Sequence, residues 1–176
     1  WNYLILIEFF IILFGLIFGS FANVCVHRLP LDLDITIERS FCPKCKKKIV
    51  WYDNIPLLSS LILSFKCRTC KKKISKQYFI VELLTGLAFI FFYKTLGLSF
   101  DFVLICIIFL ILLIIFFIDL KHYIIPDSLN FSLILIGIIK NFTTQDLLKF
   151  NYDLADSLLG GTLGYLIIWL IILIYK

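Results

Sequence analysis

Long apolar runs alternate with short polar breaks along this chain. Each run can be measured against the roughly 20 residues that a helix needs to cross about 30 Å of hydrocarbon. The first extends from Leu4 to about Val24, interrupted only by Glu8 and by the small residues Gly15, Gly19 and Ser20. It is too long for the apolar region of a signal peptide and has no basic residues before it. The second runs from Tyr78 to about Leu98 with Glu82 near its start, and the third from Phe102 to Ile118. A fourth, Tyr123 to Ile139, is weaker because Pro126, Asp127, Ser128 and Asn130 crowd its first turns. The fifth, Leu158 to Tyr175, opens on Gly160, Gly161 and Gly164, small residues that would let another helix approach closely. This pattern predicts an all-α polytopic membrane protein of four to five transmembrane helices, with the lipid bilayer as its surroundings.

Composition agrees. Of 176 residues 61% are apolar and only 16% charged, and the mean hydropathy is +1.02. A soluble domain carries about a quarter charged residues, so one water-soluble core cannot hide this much apolar surface. Gly and Pro are too few for a collagenous or disordered chain. The chain contains no Met, begins at Trp1 and stops at Lys176 directly after an apolar run, so both ends are expected to be truncation points.

The net charge of +5 matters less than its placement. Of 17 Lys and Arg, twelve lie between Arg28 and Lys76, and the apolar segments on either side are nearly free of them. The positive-inside rule makes that loop cytoplasmic. A basic juxtamembrane loop is the ordinary mark of topology, so nucleic-acid binding, the rival reading, is not expected. Alternation from this anchor returns the third span to the cytoplasmic side at Asp119 and puts Lys176 on the same side, and losing the weak fourth span would reverse the fifth.

The same loop holds Cys42-Pro43-Lys44-Cys45 and Cys67-Arg68-Thr69-Cys70. Two such pairs supply four thiolates that can close a tetrahedron around Zn²⁺. Neighbouring lysines favour the deprotonated form. Two disulfides are the alternative, but the cytoplasm is reducing. Zinc bound by Cys42, Cys45, Cys67 and Cys70 would be structural, since four cysteines leave no open position, and it would stabilise a loop with little core of its own. Cys25 and Cys106 sit in or beside spans and read as small apolar packing residues.

Acidic residues at membrane depth are the second chemical signal, because ionisable groups there are costly. Asp119 ends the third span, beside Lys121 and His122, and on these residues alone it reads first as an interfacial group. Asp127 follows Pro126 and fits the first turn of the fourth helix, complementing its dipole. Glu8 and Glu82 fit either buried partners of the basic loop or catalytic groups.

Several motifs in fixed order carry a family resemblance. The stretch Gly19-Ser20-Phe21-Ala22-Asn23-Val24-Cys25 to Arg28-Leu29-Pro30 resembles the start of the bacterial type IV prepilin peptidases. Glu38-Arg39-Ser40, Trp51-Tyr52-Asp53-Asn54-Ile55-Pro56-Leu57-Leu58-Ser59 and Val81-Glu82-Leu83-Leu84-Thr85-Gly86 are similar in the same way. The resemblance covers nearly the whole chain and divides it into three parts. Residues 1–25 are the first transmembrane helix, and 26–77 the small cytoplasmic zinc-binding loop of the N-terminal domain, with its four cysteines. Residues 78–176 are a helical membrane peptidase region, incomplete at its C-terminus.

The resemblance implies an inner-membrane aspartic endopeptidase (a prepilin leader peptidase and N-methyltransferase of the A24 family). Proteins like this cut the basic leader from type IV prepilins or pseudopilins after a Gly, and many then methylate the new N-terminus with S-adenosylmethionine. Asp119 matches the family's first catalytic aspartate. The family's second belongs to a Gly-x-Gly-Asp motif after the span resembling Leu158 to Tyr175, and no such motif occurs here. Asp153 and Asp156 precede that span and would fall on the wrong side. The chain is therefore expected to hold half of a catalytic dyad. An alternative reading is a catalytically incomplete, membrane-anchored zinc module that serves as a docking scaffold. No Gly-rich loop that could hold S-adenosylmethionine is recognisable, so methylation rests on the resemblance alone.

Overall fold

A computed structural model describes residues 2–35, 40–42, 44–142 and 154–174. The described residues form six α-helices: α1 (Asn2–Arg28), α2 (Leu58–Ile62), α3 (Gln77–Leu96), α4 (Phe100–His122), α5 (Asp127–Phe142) and α6 (Leu154–Ile174). Among them there are no strands, and 3-10 turns cover Leu29–Leu31 and Trp51–Asn54. The chain divides into two compact units, Trp1–Leu133 and Ile134–Lys176.

In the first unit α1, α3 and α4 pack against one another, α1 most extensively against α3. Lipid is as apolar as leucine, so membrane helices associate through close backbone approach rather than through apolar burial. Glycine provides that approach here. A Cβ on Gly15 would stand 2.9 Å from the Gly86 Cα, and one on Gly19 would stand 2.8 Å from the Glu82 Cα. Gly15 and Gly19, four residues apart, share one face of α1. Thr85 fills the gap between them and donates its hydroxyl to the Val81 carbonyl at 2.7 Å.

Two apolar clusters mark the ends of this bundle. Ala22, Cys25, Val26, Val81, Ile114 and Ile118 join the end of α1 to the start of α3 and the end of α4. Phe89, Phe102 and Cys106 join the opposite ends of α3 and α4. Cys25 and Cys106 are free thiols buried in these clusters, consistent with a packing role. Most other large apolar side chains of the three helices are exposed, as lipid-facing residues must be.

Three of the described helices are long and apolar enough to cross a membrane: Tyr3–Leu31, Gln77–Leu96 and Phe100–His122. The third extends past the Phe102 to Ile118 run at both ends. Ser99 caps its start by accepting the Phe102 N–H at 3.1 Å. Leu120, Lys121 and His122 do not break a helix, so it stops only where Tyr123 turns left-handed at φ 55°. The fourth run begins at Asp127 rather than Tyr123, since Pro126 cannot continue a helix and instead accepts the Leu129 N–H at 3.1 Å. Asp127 lies in the first turn of α5, as expected.

In the second unit α6 is apolar over most of its length. No described atom comes within 4 Å of a Cβ placed on Gly160, Gly161 or Gly164.

Candidate functional site

Each cysteine pair is built on the same backbone turn. The Cys42 carbonyl accepts the Lys46 N–H at 2.8 Å and the Cys42 N–H donates to the Lys47 carbonyl at 3.0 Å. Cys67 makes the equivalent bonds with Lys71 and Lys72, both at 3.0 Å. Lys46 and Lys71 close the turns at φ 56° and 57°, and single bridges pair Phe41 with Lys48 and Lys66 with Lys73. The two knuckles are one motif repeated, Cys-x-x-Cys-Lys-Lys-Lys-Ile at 42–49 and again at 67–74. This repeat is legible in the sequence, although the cysteine spacing alone does not reveal it.

The knuckles face each other. The four sulfurs of Cys42, Cys45, Cys67 and Cys70 all lie within 4.8 Å of one another, and Cys42 and Cys70 are 3.9 Å apart. A tetrahedral centre of zinc and four sulfurs, with bonds of about 2.3 Å, has sulfurs about 3.8 Å apart, so donor set and spacing both fit a metal ion. No sulfur in the cluster is in a disulfide. The N–H groups of Cys70 and then Thr69 bond the Cys67 sulfur and bring its thiol down from 9.0 to about 6. Cys70 has the Lys72 N–H favouring its thiolate, yet burial and the neighbouring Cys67, Cys45 and Cys42 sulfurs push it up to about 11. Backbone N–H groups therefore prepare the Cys67 thiolate, where the sequence pointed to the lysines. The crowding at Cys70 is the repulsion that a cation would relieve.

Arg68, inside the second knuckle, ties the cluster to the Trp51–Asn54 turn. Its Nε and Nη2 donate to the Asp53 carboxylate at 2.8 and 2.6 Å, and its guanidinium lies over the Tyr52 ring, 5.3 Å from the centroid. The partnership holds the Asp53 carboxyl below its ordinary 3.8.

The loop is fastened to the helices by polar contacts that composition cannot forecast. The buried Glu82 carboxylate accepts the Leu57 N–H at 2.9 Å. Arg28 at the end of α1 donates to the Asp34 carbonyl at 2.8 Å, while Asn23 joins α1 to α3, donating to the Tyr78 carbonyl at 3.0 Å and to the Gly19 carbonyl of its own helix at 3.3 Å. Glu82 is thus a partner of the loop backbone. Glu8 instead stands 3.7 Å from Lys94 at the far end of the bundle.

Asp119 lies in the last turn of α4 with its side chain exposed, next to the fully buried Ile118. Its carbonyl accepts the Tyr123 N–H at 2.9 Å. Since Ile118 packs with Val26 and Val81, Asp119 stands at the end of the bundle from which the cysteine loop emerges. Asp156 lies in the first turn of α6. Glu38, Arg39, Pro43 and Asp153 lie outside the described residues.

These features define a polytopic helical membrane protein with a four-cysteine cluster, able to hold a metal ion, in the loop between its first two long helices. Residues 13–96 match the family model described as the bacterial peptidase A24 N-terminal domain, and residues 105–176 match the type IV leader peptidase family. The chain is 34% identical over 173 residues to a Klebsiella pneumoniae prepilin leader peptidase/N-methyltransferase, covering 95% of this chain and 74% of that one. Proteins of the same description from Vibrio cholerae and Myxococcus xanthus are 39% and 40% identical, over 94% and 89% of this chain. The chain spans 66% and 45% of those two relatives. No solved structure gives a significant match. The chain belongs to the prepilin leader peptidase/N-methyltransferase family.

Proposed function

We propose that this chain carries the first catalytic carboxylate and the zinc module of a membrane aspartic endopeptidase. The enzyme cleaves the leader of type IV prepilins or pseudopilins at the cytoplasmic face of the bacterial inner membrane. The observation that carries the reading is the position of Asp119. It is exposed at the end of a membrane-length helix, on the side of the bundle where the basic loop emerges. A prepilin has the matching form, with an apolar helix in the bilayer and a basic leader left at the surface.

Hydrolysis by an aspartic pair needs one ionised carboxylate to take a proton from water as its oxygen attacks the scissile carbonyl. It also needs one protonated carboxyl to donate to the carbonyl oxygen. The tetrahedral intermediate then expels the amine, which receives a proton. Two carboxyls close together divide these roles because like charges separate their pKa values. Asp119 is the member of the pair that this sequence holds. Cys42, Cys45, Cys67 and Cys70 would hold one structural zinc, which fixes the fold of the loop and does not touch the substrate. Methylation of the new N-terminus with S-adenosylmethionine follows from family membership.

An Asp119→Asn variant of the full-length gene product, reconstituted with prepilin, should accumulate uncleaved substrate while retaining its zinc. Continued processing would refute the aspartic assignment.

A further inference from the structure

The loop between α1 and α3 exposes apolar side chains that nothing described covers. Trp51 is 73% exposed, Leu58 56%, Leu61 57% and Ile62 74%. They lie on two elements that touch, the Trp51–Asn54 turn and α2. A cluster of this kind on a soluble loop marks a surface awaiting a partner.

The height of these residues along the bundle says which partner. Helix α3 has 20 residues and is about 30 Å long, so crossing about 30 Å of hydrocarbon uses all of it and leaves Gln77 at the boundary. Glu82 lies five residues further on, about 7.5 Å into the apolar layer. The Leu57 N–H is bonded to Glu82, and the Phe65 ring meets Phe79 with centroids 5.7 Å apart. The segment between Leu57 and Phe65 contains α2 and is pinned at both ends to the first turns of α3. That is the depth, about 5–10 Å below the headgroups, at which interfacial apolar side chains settle. No water is present there to satisfy a turned backbone, and the Glu82 carboxylate takes that role for Leu57.

Charge completes the match. The exposed triplets Lys46–Lys48 and Lys71–Lys73 belong to the same loop, and Arg68 ties the second knuckle directly to the Trp51–Asn54 turn. Lysines beside an inserted apolar face favour anionic headgroups.

We infer that Trp51 and α2 form an interfacial foot. Their apolar side chains enter the leaflet at which α3 begins, and the lysine triplets bind its anionic phospholipid headgroups. The inference does not depend on the peptidase reading.

The test uses the full-length protein with every tryptophan except Trp51 changed to phenylalanine, Trp1 and Trp169 among them. The protein is reconstituted into phosphatidylcholine vesicles with or without phosphatidylglycerol, carrying lipids brominated near the headgroup or deep in the acyl chain. Trp51 should emit at a blue-shifted wavelength and lose most of its emission to the shallow bromines, less to the deep ones, and more with phosphatidylglycerol present. An Ile62→Asp version should lose the quenching while keeping its helical circular dichroism. Water-like emission from Trp51, undiminished quenching in Ile62→Asp, or indifference to the anionic lipid would overturn the proposal. So would shielding of Trp51 that appears only when a prepilin-like peptide is added, because the face would then bind protein.

Discussion

The Leu57 N–H and the Glu82 carboxylate, 25 positions apart in sequence, meet at 2.9 Å and join the cysteine loop to α3. Leu57 stands at φ 59° and ψ −50°, and the carbonyl before it accepts the Leu58 N–H at 2.6 Å. This is a γ-turn of the rare positive-φ kind, strained by about 1–3 kcal/mol and maintained only where its surroundings over-determine it. Glu82→Ala would leave the Leu57 N–H without its acceptor, at a cost of about 1–3 kcal/mol. Glu82→Gln keeps an acceptor and should lose less. Urea midpoints in detergent, with protease sensitivity near Leu57 as the local readout, should rank wild type above Gln and Gln above Ala. Equal losses for the two variants would show that the hydrogen bond is not what holds the turn.

Close approach of α1 and α3 predicts an asymmetry among glycines. A methyl at Gly19 meets α3 backbone at 2.8 Å, and backbone cannot step aside as a side chain can. Gly19→Ala should therefore force the helices apart and destabilise the first unit by about 1–3 kcal/mol, the usual range for overpacking. Gly161→Ala on α6 meets no described atom within 4 Å and should be neutral, or stabilising by up to about 1 kcal/mol through helix propensity. Thermal unfolding of the two variants in one detergent decides between them. Comparable destabilisation by both would mean that Gly161 is also a contact.

The first three spans and the cysteine cluster were legible because each depends on a property local to the sequence: the length of an apolar run, or a fixed ligand spacing. Boundaries were less so. Nothing in Leu120-Lys121-His122 stops a helix, and the end of α4 is set by the left-handed turn at Tyr123. The roles of Glu8 and Glu82 were not legible at all, since either acid could have served the loop. What separates them is position in the folded bundle, Glu8 near Lys94 at one end and Glu82 beside Leu57 at the other. The sequence assigned close helix approach to Gly160, Gly161 and Gly164 of α6, yet it is Gly15 and Gly19 of α1 that meet a described partner.

Metal content is the most direct test of the cysteine cluster. Purified protein should contain about one zinc per chain, and Cys42→Ser should release it, because three thiolates hold the ion more weakly than four. Since the loop has little core of its own, chelation should also expose it to protease while α1, α3 and α4 stay helical. Protein that is free of metal and still resists protease across the loop would remove zinc from the account.

The Arg68–Asp53 pair predicts a pH dependence with a definite sign. Its guanidinium holds the Asp53 carboxyl below the ordinary 3.8, so the folded chain binds fewer protons there than the unfolded one. The pair's contribution is therefore fully present above 3.8 and is lost as pH falls through the lower folded value. Asp53→Asn removes the titrating group and most of the attraction at one step. The urea midpoint of the wild-type loop should exceed that of the variant at neutral pH, stay ahead down to 3.8, and converge on it below. Part of the gap should also close when salt is added at neutral pH, because Arg68 is exposed and such pairs are screened. A gap that persists unchanged into strong acid would mean that Asp53 stabilises the loop by its shape rather than by its charge.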